Sequence, residues 1–248
     1  MFPIRDHNPS EIRPVVTIAL IVINVAIFLY TWLLLSDPRA LAGFYHNWAM
    51  IPARISSGAG YYTLISSMFI HAGFMHVGGN ILFLWIFGDN LEDKLGHAGF
   101  LGFYLLVGVV AGLAQVAAAP LSQVPTIGAS GAIAGVMGGY LLLFPRARVD
   151  VIFIFIIFFK IFPIPAWVIL GLWFALQIFN GVGADASGGG VAYWAHAGGF
   201  VAGFLLMLPL WLRFGGTGFW RQNHGRPAHE QAQYRRVRSG VPTVKRRR

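Results

Sequence analysis

Four polar side chains stand inside strongly apolar segments of this chain: Ser130, His196, His76 and Asn80. Ser130 belongs to the stretch TIGASGAIAG, residues 126–135, where most of its neighbours are small. Nucleophilic hydrolysis needs a nucleophile, a proton acceptor and hydrogen-bond donors for a developing oxyanion. These residue types make Ser130 a candidate nucleophile and His196 its candidate base.

The four residues also lie at a similar depth in their segments. At 1.5 Å per helical residue, Ser130 and His196 each precede the basic residue that ends their segment by about 24–26 Å, and His76 does so by about 27 Å. Asn80 lies one turn further along and, at i+4 from His76, shares its helix face. In a hydrocarbon core about 30 Å thick, all four would lie near one surface of the membrane.

Neither a metal ion nor a cofactor is expected at this position. The chain contains no cysteine, and His71 precedes His76 by five residues, a poor helical spacing for two ligands of one ion. No carboxylate lies nearby in the sequence to complete such a site.

Membrane segments are the elements that must position these residues. Of 248 residues, 56% are hydrophobic and 11% are charged, whereas a soluble globular chain carries about 25% charged residues. We therefore predict an all-α membrane protein with six transmembrane helices. The predicted spans are 15–35, 73–88, 99–118, 130–145, 164–182 and 191–212.

Two further segments are predicted not to cross the membrane. Residues 37–72 are too polar and too rich in glycine, and they form a long structured first loop. Residues 151–162, VIFIFIIFFKIF, are apolar but only about 12 residues long and carry Lys160, so we expect them at the membrane interface.

The basic residues predict the orientation. With six spans, 16 of the 18 Lys and Arg residues fall on the side of both termini, and only Arg39 and Arg54 fall on the other side. The positive-inside rule therefore places the termini in the cytoplasm and the first loop outside. We expect a cytoplasmic N-terminal segment at 1–14, a six-span domain at 15–212 and a basic, disordered cytoplasmic tail at 213–248. The tail suits anionic lipid at most, rather than nucleic acid.

Rows of glycine predict that the fourth and sixth spans pack closely. Small residues at intervals of four or so let membrane helices approach each other. Such an approach would bring His196 to Ser130, which stands at a helix start where negative charge is favoured. The glycines concerned are Gly131, Gly135, Gly139, Gly199 and Gly203.

Each of these signals has a simpler interpretation when it is taken alone. A lone serine in a span usually bonds to a backbone carbonyl, and a lone histidine more often joins two helices or relays protons. Glycine rows are also common in channels and transporters. Together, a serine at a helix start, a histidine on another glycine-rich helix and a His/Asn pair at the same depth favour nucleophilic catalysis.

Three motifs of the chain resemble those of the rhomboid intramembrane serine proteases. They are HAGFMHVGGN at residues 71–80, GASG at residues 128–131 and AHAGGFVAG at residues 195–203. Their order and spacing match the pattern of that family across residues 15–212. The resemblance implies a six-helix rhomboid-like bundle with a long first external loop.

The resemblance also implies a role for each matched residue. Ser130 would be the nucleophile and His196 its general base, in a dyad that has no third carboxylate. His76 and Asn80, with the backbone N–H of Ser130, would form the oxyanion hole, and His71 would help to hold the first loop and active-site water. The supporting glycines would be Gly128, Gly131, Gly199 and Gly203.

Some positions depart from the family pattern. Some members carry an aromatic residue four positions after the serine, stacked on the catalytic histidine, whereas this chain has Ala134. His196 must then be oriented by another group, and an aromatic residue of the fifth span or Tyr193 are the candidates. Some members carry a Trp-Arg pair in the first loop, where this chain has Tyr62 and Thr63.

The resemblance further implies a mobile cap at residues 181–190 and entry of a substrate helix beside the fifth span. The leading interpretation is an intramembrane serine endopeptidase that acts on transmembrane protein substrates in the lipid bilayer. A non-catalytic relative that binds transmembrane helices is the alternative, and the four retained polar residues count against it.

A six-span transporter or channel is a third possibility. It would need an ionisable path across both leaflets, and the inner halves of the spans offer little beyond Gln177 and Asn180. The expected location is a bacterial cytoplasmic membrane, with the site open to the external face. The sequence leaves the substrate and the oligomeric state open.

Overall fold

A computed structural model describes residues 2–155, 158–185 and 189–223, and most of these residues are helical. One strand precedes the first helix, and two more separate α6 from α7. Short 3-10 turns at Leu34–Ser36 and Ser67–Phe69 extend α1 and follow α4. The elements are β1 (Phe2–Asp6), α1 (Val15–Leu33), α2 (Pro38–Trp48), α3 (Pro52–Ser56), α4 (Thr63–Ser66), α5 (Phe74–Ala118), α6 (Ser130–Leu143), β2 (Arg148–Phe155), β3 (Phe158–Pro165), α7 (Ala166–Gly183), α8 (Tyr193–Arg213) and α9 (Thr217–Asn223).

Four helices of the described part are long and apolar enough to cross a membrane: α1 with its 3-10 extension, α5, α7 and α8. The fourth predicted span is α6, which is apolar but has only 14 residues. The second and third predicted spans are both part of α5, which runs for 45 residues without a separate loop. Its helical geometry is broken at Gly96, where φ is 70° and ψ is 166°, a conformation that glycine adopts most easily. The count of six spans stays a prediction.

A three-stranded antiparallel sheet lies at the end of α6 away from Ser130, where the residue pattern predicted an interfacial segment instead. The strand order is β1-β2-β3, and β2 pairs with β3 from Arg148 opposite Pro165 to Phe155 opposite Phe158. The described residues of 151–162 therefore belong to two paired antiparallel strands. A short run of apolar residues has the same composition in a strand and in a buried helix, so periodicity alone could not distinguish them.

The start of α1 is capped by a carboxylate from α5. Glu92 is fully buried and accepts hydrogen bonds from the backbone N–H groups of Val16 and Thr17, both at 2.8 Å. The Thr17 hydroxyl donates to the same carboxylate at 2.7 Å, and His97 Nδ1 lies 2.6 Å from it. Because Pro14 precedes the helix and offers no side-chain cap, Glu92 satisfies amides that the helix itself cannot.

The bundle is organised around α6, nearly all of whose residues are buried. Its closest neighbour is α8. A Cβ atom built on Gly199 would overlap the backbone of Gly131, and one built on Gly203 would overlap the backbone of Gly135. The two backbones therefore touch, and no side chain larger than hydrogen fits between them.

Two carboxylates hold strand β1 in place: Asp150 joins it to β2, and Asp6 joins it to α6. Burial acts to raise the pKa of Asp150, but hydrogen bonds from Arg5 and His7 outweigh it and hold that pKa below its ordinary value. Asp6 accepts a 2.6 Å hydrogen bond from the hydroxyl of Tyr140 on α6. Burial raises the pKa of Asp6 from 3.8 to about 7, although the bond from Tyr140 opposes the shift.

We expect docking of β1 to weaken as the pH rises from 5 to 8. Docked Asp6 keeps its proton up to about pH 7, whereas the undocked carboxyl loses it near pH 3.8, so the docked form is favoured at low pH and this contribution is lost as the pH rises through 7. Asp6→Asn cannot titrate and should show a smaller loss of amide protection at residues 2–6 in hydrogen exchange, after correction for intrinsic rates. Equal losses in the two proteins would contradict this account.

We expect Gly203→Ala to lower the melting temperature of the detergent-solubilised protein. The added methyl group meets the backbone of Gly135, and overpacking of this kind costs about 1–3 kcal/mol of unfolding free energy. Gly171→Ala is the matched control, because nothing lies within 4 Å of the position its Cβ would take on α7. A Gly203→Ala protein as stable as the control would show that the helices can separate at no cost.

Candidate active site

Ser130 and His196 are brought together by the contact between α6 and α8. Ser130 is the first residue of α6, and His196 stands in the first turn of α8. Ser130 Oγ lies 2.7 Å from His196 Nε2, which is hydrogen-bond distance for a hydroxyl and an imidazole. Both side chains are partly buried.

The predicted His/Asn pair borders the same site from α5. A cavity of about 240 Å³ is lined by Ser130, His196, His76 and Asn80 together. The amide of Asn80 donates to the backbone oxygen of His76 at 3.0 Å. Gly128 precedes the serine by two residues and lies against the ring of His76. A Cβ atom added to Gly128 would lie 2.6 Å from Nε2 of His76.

His71 lies beside this group rather than in it. It is buried in the short segment before α5, and its ring centre lies 5.0 Å from that of His76 in an edge-to-face arrangement. The described residues contain no cluster of three or more metal-ligating side chains.

A second cavity of about 640 Å³ opens over the serine. It is lined by Ser130, His196 and His76, and by parts of the segments 122–127, 181–185 and 189–194. The predicted cap, 181–190, therefore borders this cavity at both of its ends, while its residues 186–188 lie outside the described part of the chain. The predicted disordered tail begins differently, because Thr217–Asn223 form helix α9, and its residues from 224 onward lie outside the described part.

The second nitrogen of His196 has a partner that the sequence motifs do not indicate. His196 Nδ1 lies 2.8 Å from Oε1 of Gln177, a buried residue on α7. The ring of Trp173, one turn earlier on α7, lies 5.7 Å from the imidazole at an angle of 33°. The candidates for orienting His196 were an aromatic residue of the fifth predicted span and Tyr193, and the ring found beside His196 is Trp173 of that span. The signal in the sequence was an aromatic residue and an amide at i and i+4, which share a helix face.

The first loop is tied to the segment that leads into Ser130. Met50 and Thr126 exchange two backbone hydrogen bonds, and Gly128 N–H donates to Ser67 O at 2.9 Å. Tyr62, which stands where some family members carry tryptophan, bonds to the guanidinium group of Arg54 at 3.0 Å. The guanidinium group of Arg54, eight residues before Tyr62, also lies over the Tyr62 ring at 5.7 Å from its centre. An arginine and an aromatic ring are thus paired in the first loop, although they are not adjacent in the sequence.

Comparison with known protein families identifies the family to which this chain belongs. The sequence profile of the Rhomboid domain matches residues 58–213, which is more than half of the chain. The chain belongs to the rhomboid family. The resemblance of the three motifs is thereby confirmed, and the protein is a mostly helical membrane protein of that family.

Several relatives are similar to parts of this rhomboid protein. Rhomboid protein 1, mitochondrial, of Saccharomyces cerevisiae is 34% identical over 149 residues, which are 58% of this chain and 40% of the yeast protein. Rhomboid protease GluP of Bacillus subtilis is 31% identical over 152 residues, 61% of this chain and 26% of the relative. Presenilin-associated rhomboid-like protein, mitochondrial, of Homo sapiens is 30% identical over 93 residues, 37% of this chain and 24% of the relative. The chain thus spans less than half of the length of these relatives.

We expect Gly128→Ala to reduce labelling of Ser130 by a fluorophosphonate about tenfold or more, since misplacement of a reacting group by about 1 Å can cost about a hundredfold. Gly128 has φ 121°, which strains any other residue, and the new methyl group would meet the ring of His76. The matched control is Gly78→Ala on α5, where the methyl group meets nothing. Equal labelling of both variants would show that the His76 ring is not held by Gly128.

Proposed function

We propose that this chain is an intramembrane serine endopeptidase that hydrolyses peptide bonds in or near transmembrane helices of membrane proteins. The observation that carries the proposal is the 2.7 Å separation of Ser130 Oγ and His196 Nε2 in a cavity that His76 and Asn80 also line. A nucleophile and its base need this hydrogen-bond reach. Membership of the rhomboid family supports protease activity at the level of the family, some of whose members are non-catalytic.

The chemistry follows from the two side chains. Ser130 Oγ attacks the carbonyl carbon of the scissile bond while its proton passes to His196 Nε2. The C–N bond then breaks as His196 donates that proton to the leaving nitrogen, and an acyl-enzyme remains. Water attacks the ester with His196 again as the base, and the proton returns to Ser130 as the acid is released.

Three donors suit the oxyanion that each attack creates. The Ser130 backbone N–H belongs to the first turn of α6, where amides lack partners within the helix. His76 Nδ1 accepts a long hydrogen bond of 3.5 Å from the N–H of Ala72. The proton of the neutral ring then belongs to Nε2, which lies on the side of Gly128 and can donate. Asn80, on the same face of α5, completes the set of donors.

Access is proposed from two directions. Water enters through the larger cavity over Ser130, since lipid excludes it elsewhere. The substrate helix arrives beside α7, which presents exposed apolar side chains such as Leu172, Leu176 and Phe179. A helical substrate must unwind there because its carbonyl groups are occupied, so small or helix-breaking residues near the cleavage point are favoured.

The membrane arrangement is part of the same proposal. The six spans are α1, the two parts of α5 on either side of Gly96, α6, α7 and α8. Both termini are cytoplasmic, and Ser130 lies near the external surface, as the distribution of basic residues favours. The membrane is proposed to be a bacterial cytoplasmic one.

The test is cleavage of a reporter protein with one transmembrane helix by the purified protein in liposomes. The native chain should cleave it, while Ser130→Ala and His196→Ala should each lose at least about a thousandfold in rate, because the two groups act as a unit. Both variants should keep the melting temperature of the native chain.

Two results would contradict the proposal. Equal cleavage by the native chain and Ser130→Ala would rule out Ser130 as the nucleophile. A native chain that cleaves no member of a broad panel of transmembrane reporters and takes no serine-directed label would favour a non-catalytic protein that binds transmembrane helices.

A further inference from the structure

Gln177 is a buried polar side chain on a helix that is otherwise apolar where it meets the bundle. The other buried residues of α7 are Ala166, Leu170 and Gly181, and Gln177 is 8% exposed. A buried amide costs free energy unless both its oxygen and its nitrogen are hydrogen-bonded. Both have partners here, and one of the partners is the proposed general base.

The direction of these hydrogen bonds is fixed by a backbone carbonyl. Gln177 Nε2 lies 3.2 Å from the backbone oxygen of Trp173, which can only accept. The NH₂ group of Gln177 must therefore point to Trp173, and its Oε1 atom must point to His196. Because Oε1 can only accept, His196 Nδ1 must be the donor across the 2.8 Å contact.

This assignment determines the tautomer of His196. A neutral imidazole carries one proton, and with that proton on Nδ1 the lone pair belongs to Nε2. Nε2 is the atom 2.7 Å from Ser130 Oγ, so the lone pair faces the hydroxyl that must lose its proton. The opposite tautomer would leave Nδ1 and Gln177 Oε1 as two facing acceptors.

We propose that Gln177 is a positioning residue, which holds His196 in the tautomer and ring orientation that a general base needs. The proposal rests on the serine-protease function proposed above. The amide oxygen of Gln177 contacts His196 Nδ1 where a carboxylate does so in a Ser-His-Asp triad. It orients the imidazole, and its dipole favours the imidazolium that forms when Ser130 gives up its proton, less strongly than a full charge would.

Two substitutions separate this role from a purely structural one. Gln177→Leu keeps a similar volume and removes the acceptor, whereas Gln177→Glu restores an acceptor and adds a charge. For Gln177→Leu we expect kcat to fall about 10- to 100-fold with KM changed by less than about threefold, because the interaction matters at the proton transfer rather than in substrate binding.

For Gln177→Glu we expect most of the activity to return, with the acidic limb of the activity–pH profile moved to higher pH. A carboxylate stabilises the protonated imidazole more than an amide does. His196 therefore stays protonated, and inactive as a base, up to a higher pH. The other titratable groups that line the two cavities, His76, Asp185 and Tyr193, are the same in every protein compared.

Asn180→Leu is the matched control. It makes the same change of amide to leucine on α7, one turn from Gln177, at a residue that borders a different cavity, formed by α7 and Tyr193. Its activity and pH profile should equal those of the native chain.

A spectroscopic measurement keeps this test independent of any substrate. In ¹⁵N-histidine-labelled protein, with His196 assigned by difference from His196→Phe, the native chain should show the Nδ1-protonated tautomer, and Gln177→Leu should show a loss or mixing of it. If the native chain proves inert, the proposed function fails, while this spectrum still decides whether Gln177 sets the tautomer.

Three results would overturn the proposal. One is a Gln177→Leu protein with native kcat and an unchanged pH profile. Another is a folded Gln177→Glu protein as inactive as Gln177→Leu, which would indicate a role in packing alone. The third is an Nε2-protonated His196 in the native chain. If Gln177→Leu fails to fold, an unshifted acidic limb in Gln177→Glu is sufficient to reject the proposal.

Discussion

The contact between the backbones of α6 and α8 is the constraint on which the site depends. Ser130 begins α6, and His196 lies three residues before Gly199, where an added Cβ atom would overlap the backbone of Gly131. The distance between hydroxyl and imidazole is therefore set by how closely two helices can approach. A methyl group between them would separate the pair by more than a hydrogen bond tolerates.

Several polar groups of this apolar bundle are held in connected sets. At one end of α6, a backbone carbonyl, Gln177, His196 and Ser130 form an unbroken series. Near the other end, Tyr140 donates to Asp6 and so joins β1 to the same helix. Partly satisfied polar groups in such surroundings are costly, and complete series of this kind favour one arrangement over its alternatives. One short helix is thus fixed at both ends by polar contacts and along its length by glycine.

The sequence predicted the helices and the four polar residues of the site for a physical reason. The cost of polar groups in an apolar segment makes Ser130, His196, His76 and Asn80 stand out individually, and helical rise gives their depth. Gln177 was not predicted to belong to the site, because its partner His196 lies on another helix and nothing near Gln177 in the sequence indicates that contact. The prediction missed the sheet because residues 151–162 lack a clear period. It left residues 89–98 between the second and third spans, whereas α5 is helical there except at Gly96, whose φ angle nothing in the residue pattern states.

The carboxylate of Glu92 also bears on how the chain is made. The first-turn amides of α1 find their partner 75 residues later in the sequence. During synthesis, α1 emerges before Glu92 exists, and in that interval those amides need another acceptor, such as water. The cap of α1 therefore forms only when α5 packs against it. Formation of this cap thus links the packing of α1 to that of α5, two helices whose contact residues lie about 75 positions apart in the sequence.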